Sequence, residues 1–127
     1  MKNDDANAIQ AVIEEAYVQG IHEMQDADLA RRGFHESFQM HVLKDGHVMQ
    51  VKLADWLDRV EELKTENPEL WRETTTLAYD LVDVAGEAAV AKFKVYKGRT
   101  FFSTDYMLLY RFPEGWRIVA KVFTLEE

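Results

Sequence analysis

An α+β fold, with helices laid against one face of a long curved antiparallel sheet, is what this sequence predicts, and three observations carry it. Apolar residues recur at helical spacing in two stretches of the first half. The second half alternates in long runs broken only by short turns that contain glycine. No cysteine is present to staple a different scaffold, so stability must come from packing.

The first helix is expected over most of residues 7–25. Ile9, Val12, Ile13, Ala16, Gly20 and Met24 follow the i, i+3, i+4, i+7 spacing of one face, and His22 falls opposite that stripe. Asn7 as N-cap and Gln10 three residues later resemble a capping box. Gly20 inside a helix costs about 1 kcal/mol relative to alanine, so its small size points to a close approach by another segment. Asp28 to Arg32 form a short second helix that Gly33 ends, and Phe34 and His35 lead into extended chain.

Phe38 to Leu43 and Val48 to Leu53 flank Lys44-Asp45-Gly46-His47, and an Asp-Gly pair between apolar runs signals a hairpin. Leu53, Trp56, Leu57, Val60 and Leu63 return to helical spacing until Asn67-Pro68 stops the helix. Four runs follow, near 74–84, 88–97, 101–112 and 116–125. Turns at Ala85-Gly86-Glu87, Lys97-Gly98-Arg99 and Pro113-Glu114-Gly115 divide them, too short for parallel crossovers, which need a dozen or more residues. With no linker, repeat or low-complexity tract, residues 1–127 read as one domain.

The last two strands are apolar on both faces. Met107 and Leu109 oppose Tyr106, Leu108 and Phe112, while Ile118 and Val122 oppose Val119 and Phe123. One face suits the helices. The other needs a cover, because an exposed antiparallel face is normally polar, and a homodimer through this outer face is the simplest one.

A formal charge of −8 opposes a phosphate backbone, so nucleic acid is set aside, and anionic membrane surfaces are disfavoured on the same ground. No run approaches the roughly eighteen apolar residues of a membrane span. The polar start MKNDDANAIQ lacks a signal-peptide core, which makes the cytoplasm the default. The histidines at 22, 35, 41 and 47 form no H-E-x-x-H pattern, and no thiolate is available, so no metal is expected. No phosphate loop, dinucleotide fingerprint or G-x-S-x-G elbow occurs, so no cofactor is implied.

The element order, ending in Thr104-Asp105-Tyr106 and in Trp116-Arg117-Ile118-Val119-Ala120-Lys121-Val122-Phe123, with Phe34-His35 after the short helix, resembles the nuclear transport factor 2-like superfamily. Within it, the chain most resembles the putative lumazine-binding family. The resemblance covers nearly the whole chain. It implies a cone-shaped, cystatin-like fold whose sheet curls around two long helices and one short one, leaves a cavity at the open end and usually pairs into dimers. Members range from isomerases, cyclases and dehydratases to pure binding modules, so the fold alone selects no activity.

Among enzymes of that superfamily, ketosteroid isomerases pair a helix-one tyrosine and a buried protonated aspartic acid with an aspartate base. Tyr17 matches the tyrosine's place. The base position falls around His41 and Val42, and the partner acid's place near Leu108 and Leu109 is apolar, so the constellation is incomplete. His35 leaves the short helix where the cavity mouth of this fold lies, able either to tie down a loop or to move a proton near neutral pH. Asp105 shares a strand face with Phe101, Met107 and Leu109 and therefore needs a partner, with Lys121 and Tyr17 as candidates. Unpaired in a cavity, it would become a proton carrier.

Phe34, Phe38, Met40, Trp56 and Tyr79 supply aromatic and soft surface around that cavity, as either core or ligand wall. The leading expectation is a homodimeric binder of a small, partly aromatic organic molecule oriented by His35 and Asp105. The alternative is a cofactor-free isomerase, cyclase or dehydratase in which His35 or Asp105 moves a proton and Tyr17 polarises a carbonyl.

Overall fold

In the computed structural model, which describes residues 2–125, the first helix changes its hydrogen bonding part-way along. Helix α1 (Lys2–Ile13) runs directly into a π-helix over Glu14–Glu23, whose bonds span five residues rather than four. The backbone N–H of Met24 donates to the carbonyl of Gln19 at 2.8 Å and closes its last turn. The wider turn stacks residues five apart, so Tyr17 and His22 meet with ring centroids 4.6 Å apart. His22 is therefore buried, 3% exposed, and not on the solvent side where a 3.6-residue period puts it.

Gly20 serves the close approach its small size suggested: a Cβ there would lie 3.0 Å from the backbone nitrogen of Ala30 in helix α2 (Ala27–Arg31). Asp26 caps α2, its Oδ1 accepting from the N–H groups of Asp28 at 3.1 Å and Leu29 at 3.2 Å. A Cβ on Gly33 would collide with the methyl of Ala16, so the chain passes from α2 into the sheet pressed against the π-helix.

Six strands form one sheet: β1 (Phe34–Lys44), β2 (His47–Lys52), β3 (Thr75–Ala85), β4 (Ala88–Lys97), β5 (Thr100–Phe112) and β6 (Gly115–Leu125), in the order β2-β1-β6-β5-β4-β3. Neighbours pair antiparallel except β1 and β6, which run parallel. That pairing draws β1 back to Phe34, ahead of the expected start at Phe38. Phe34 sits beside Ile118, and the Ile118 N–H donates to the Gly33 carbonyl at 2.8 Å. The β1–β2 turn takes positive φ at Asp45 (51°) and Gly46 (78°), as the two-residue hairpin requires.

Helix α3 (Leu53–Glu66) stops before Asn67, as the Asn-Pro pair indicated. The same asparagine then opens a further helix, α4 (Pro68–Arg72), accepting from the Leu70 N–H at 3.4 Å with Pro68 in the first turn. This short helix brings Trp71 inward.

The helices bury Ile9, Ile13, Ile21 and Val60 against Phe93, Val95, Met107, Leu109 and Ile118 on the inner face of the sheet. A bulge at Val119, where the β5–β6 register shifts, alters the face assignment in β6. Strict alternation puts Ile118 and Val122 on one face, but Ile118 is buried and Val122 exposed. Lys121 turns inward, onto the side of Asp105.

Candidate functional site

A cavity of about 690 Å³ opens between α3, α4, the π-helix, the β1–β2 hairpin and the ends of β5 and β6. Its wall is mostly apolar, with Met40, Trp56, Trp71, Phe102 and Phe123 among its side chains; Tyr17, His22, Ser103 and Lys121 bring polar groups to it, and Lys44, Arg59, Glu66 and Asn67 also line it.

Asp105 lies at the centre of the polar floor, with no exposed surface. Its Oδ2 accepts from the Tyr17 hydroxyl at 2.5 Å and pairs with Lys121 Nζ at 3.3 Å, while Oδ1 accepts from the Ser103 hydroxyl at 2.7 Å. Both oxygens act as acceptors, and three donors from three elements converge on them. Burial raises the Tyr17 phenol well above its usual value, and the Asp105 carboxylate adds to the rise. Burial lowers Lys121, against the pull of Asp105. The Lys121 ammonium is otherwise enclosed by soft groups: the Phe123 ring at 3.9 Å, the Trp56 ring at 4.9 Å, the Tyr17 ring at 5.5 Å and the Met40 sulfur at 3.8 Å. Met40, Trp56, Phe123 and Tyr17 all line the cavity, which sets this cation at its floor.

Beside it stands a second buried cluster. Lys97 Nζ lies 2.7 Å from His22 Nδ1, 2.9 Å from Thr75 Oγ1 and 3.8 Å from the centre of the Trp71 ring. Burial lowers Lys97 to about 7. His22 is pushed well below the usual imidazole value by burial, then by the positive charges of Lys97, Lys121 and Lys64. Its ring stacks on Trp71 with centroids 5.2 Å apart, and its Nε2 is buried with no hydrogen-bond partner.

The residues singled out from the sequence divide into groups. Tyr17, Met40, Trp56 and Lys121 line the cavity, and Asp105 sits directly behind Tyr17 and Lys121. His35, Phe34 and Phe38 line a separate groove of about 440 Å³ between α2, β1 and the start of α3. The alternation that turns Phe34 into the core carries His35 away from Asp105. The His35 ring stacks on Phe112 at 4.3 Å, and its Nδ1 lies 2.8 Å from the Ser37 hydroxyl and accepts the Ser37 N–H at 3.1 Å. Phe34 and Phe38 support the site from behind, their rings 5.7 and 5.8 Å from Trp56. Tyr79 faces the start of the π-helix instead, donating to Glu14 Oε2 at 2.9 Å.

His22, Lys97, Ser103, Trp71 and Phe102 complete the site. Two of them carried a signal in the sequence: Lys97 keeps the parity of Ala91, Phe93 and Val95, and Ser103 that of Asp105 and Met107. His22 carried none, because its position depends on the π-helix. Among the described residues no three His, Cys, Asp or Glu side chains converge as metal ligands, and no helix is long and apolar enough to cross a membrane.

The chain is similar in fold to several solved structures. A nuclear transport factor 2-like protein of unknown function from Shewanella baltica superposes with a TM-score of 0.80 at 19% identity, over 100% of this chain and 98% of the other. A cystatin-like domain of unknown function from Nostoc punctiforme gives 0.69 at 13% identity, over 100% and 80%. A protein named as a putative aromatic ring hydroxylase from Novosphingobium aromaticivorans gives 0.64 at 16%, over 98% and 91%. At such identities the likeness establishes the fold alone. No curated protein matches the sequence. The family described as putative lumazine-binding matches over residues 4–124. That match spans α1 through β6 nearly end to end, and with the shared nuclear transport factor 2-like fold it establishes that the chain belongs to the putative lumazine-binding family.

Proposed function

We propose that this protein binds a small, partly aromatic organic molecule in the cavity between its helices and curved sheet, and that it does so as a homodimer. The observation that carries the reading is the composition of the cavity: a wall of aromatic and soft side chains around a floor of fixed polar groups, the usual make-up of a small-molecule site. A cofactor-free isomerase, cyclase or dehydratase would use the same floor, with less to support it. Tyr17 already directs its hydroxyl proton to Asp105, both Asp105 oxygens are engaged, and His35 stands in another groove.

Support for the dimer comes from the outer sheet face. Tyr106 pairs with Val122 across β5 and β6, and Leu108 and Tyr110 follow along the same face of β5. All four side chains are exposed, as is Leu81 on β3. An apolar stretch of this kind on a solvent-facing sheet favours a second copy as its cover.

Native mass spectrometry of freshly purified protein tests both parts. A dimer that carries extra mass supports both and gives the ligand's class. A monomer at micromolar concentration overturns the dimer, and a protein that neither retains a small molecule nor takes one up from an aromatic library overturns the binding reading.

A further inference from the structure

The hydrogens of the cavity floor can be placed from their partners, and the one buried side-chain polar atom without a partner among the described residues, His22 Nε2, proves to be a donor. A lysine ammonium has three N–H donors and no lone pair. Charged Lys97 therefore donates to His22 Nδ1 and to Thr75 Oγ1, with its remaining hydrogen toward the Trp71 face. Because Nδ1 accepts, the hydrogen of the neutral imidazole resides on Nε2, and that N–H is the buried group without a partner. His22 is 97% buried, lines the cavity and is held in place by Lys97 behind it and Trp71 beside it.

The rest of the floor is mixed, because a hydroxyl that gives its hydrogen to Asp105 has only lone pairs left for a ligand. Tyr17 and Ser103 both give their hydroxyl hydrogens to Asp105. Lys121 gives one hydrogen to Asp105 and points toward the Met40 sulfur, a weak acceptor. At the floor, Asp105 offsets Lys121, while Lys97 has no carboxylate in ion-pair contact among the described residues and feels Glu23 only from farther away; Glu66 also lines the cavity and is paired with Arg59. A ligand end that reaches His22 Nε2 must accept a hydrogen bond, and the nearby Lys97 and Lys121 ammoniums favour one that carries negative charge.

We infer that His22 is the ligand-anchoring residue of the cavity and that the ligand is an aromatic carboxylate, one oxygen accepting from His22 Nε2 while the ring system lies among Trp56, Trp71 and Phe123. This inference rests on the cavity being a binding site and adds the ligand's chemical class. His22 Nε2 is buried, so one of the neighbouring side chains must move to admit an oxygen. Phe102 is the least buried of those around the imidazole and stands on a bulge of β5, where the β4–β5 register shifts, so it is the ring that yields.

The test uses the full chain near pH 6, where Lys97 is charged, and three soluble naphthalene probes: 2-naphthoate, 2-naphthylmethanol and 2-naphthylmethylammonium. Calorimetry is expected to show naphthoate binding at least about tenfold more tightly than either other probe. His22→Phe should lose most of that preference, whereas His22→Gln, whose amide can donate, should keep the larger part of it. Nitrogen-15 spectra of the imidazole should show the Nε2–H tautomer in the free protein and a displaced Nε2–H resonance on adding naphthoate. Equal binding of the three probes, or a preference indifferent to His22→Phe, removes the anchor and leaves the cavity a binding site. Binding of none of the probes overturns the inference, while the binding reading is decided separately by the native mass spectrum and the aromatic library. Should His22→Phe fail to fold, the tautomer and the probe order in the unaltered protein decide: an Nδ1–H tautomer or an imidazolium overturns the inference.

Discussion

Tyr17 and Asp105 stand 88 positions apart in the chain and 2.5 Å apart in the fold, the phenol of the π-helix donating to a carboxylate that has no exposed surface. The bond fastens the helical layer to the centre of β5. Tyr17→Phe keeps the ring and deletes the donor, leaving Asp105 Oδ2 with Lys121 alone. The expected loss is about 1–3 kcal/mol in urea unfolding, the usual cost of removing one partner of a buried polar group. A loss below about 0.5 kcal/mol, within the range of a neutral surface change, would show that the bond does not fasten the layers.

Asp105 and Lys121 should behave as a coupled pair. Asp105→Asn or Lys121→Met alone strands one buried charge, and each is expected to cost about 3–5 kcal/mol. The double variant should cost less than the sum of the two by about 1–3 kcal/mol. Strict additivity in the cycle would mean that the 3.3 Å contact carries no interaction energy.

Lys97 makes stability depend on pH in a definite direction. Its pKa falls from 10.5 in the unfolded chain to about 7 in the fold. Between those values the unfolded state binds the extra proton, so this group makes the protein more stable as pH rises through that window. Below pH 7 it is charged in both states and the full cost of burying the charge applies. Lys97→Met should therefore flatten the stability profile between pH 7 and 10.5, removing a slope of at most about 1.4 kcal/mol per pH unit, and should stabilise the protein most at pH 6. Urea unfolding at a series of pH values reads this. An unchanged slope would show that Lys97 keeps an ordinary pKa in the fold.

On the outer face, Leu108→Glu sets a charge in the middle of the exposed apolar patch without touching the core. The expected outcome is a shift from dimer to monomer by sedimentation equilibrium, with unchanged circular dichroism. A variant that keeps the mass of the unaltered protein would move the interface to another surface.

The elements whose periodicity is regular were legible in the sequence: the stripe of α3, the Asp45-Gly46 turn and the alternation of β4. What escaped were places where the period itself changes. The π-helix adds a residue to each turn and brings His22 inward, and the bulge at Val119 reverses the expected relation between Ile118 and Val122. The parallel pairing of β1 with β6 joins segments far apart in the chain, which no local turn signal announces. At the site, two of the three partners of Asp105, Tyr17 and Lys121, could be named because an inward acid needs donors, and Ser103 was missed. The Lys97–His22 contact spans 75 residues and depends on both the π-helix and the register of β4.

The placing of the tryptophans has an optical consequence. Trp56 and Trp71 line the cavity, each with a lysine ammonium near its ring, while Trp116 is buried elsewhere, its indole N–H 3.4 Å from Asp5. Indole emission responds to the polarity and charge around the excited ring. A molecule entering the cavity alters the surroundings of two of the three emitters and leaves the third as a steady background, so occupancy is written into the protein's own fluorescence without any added dye.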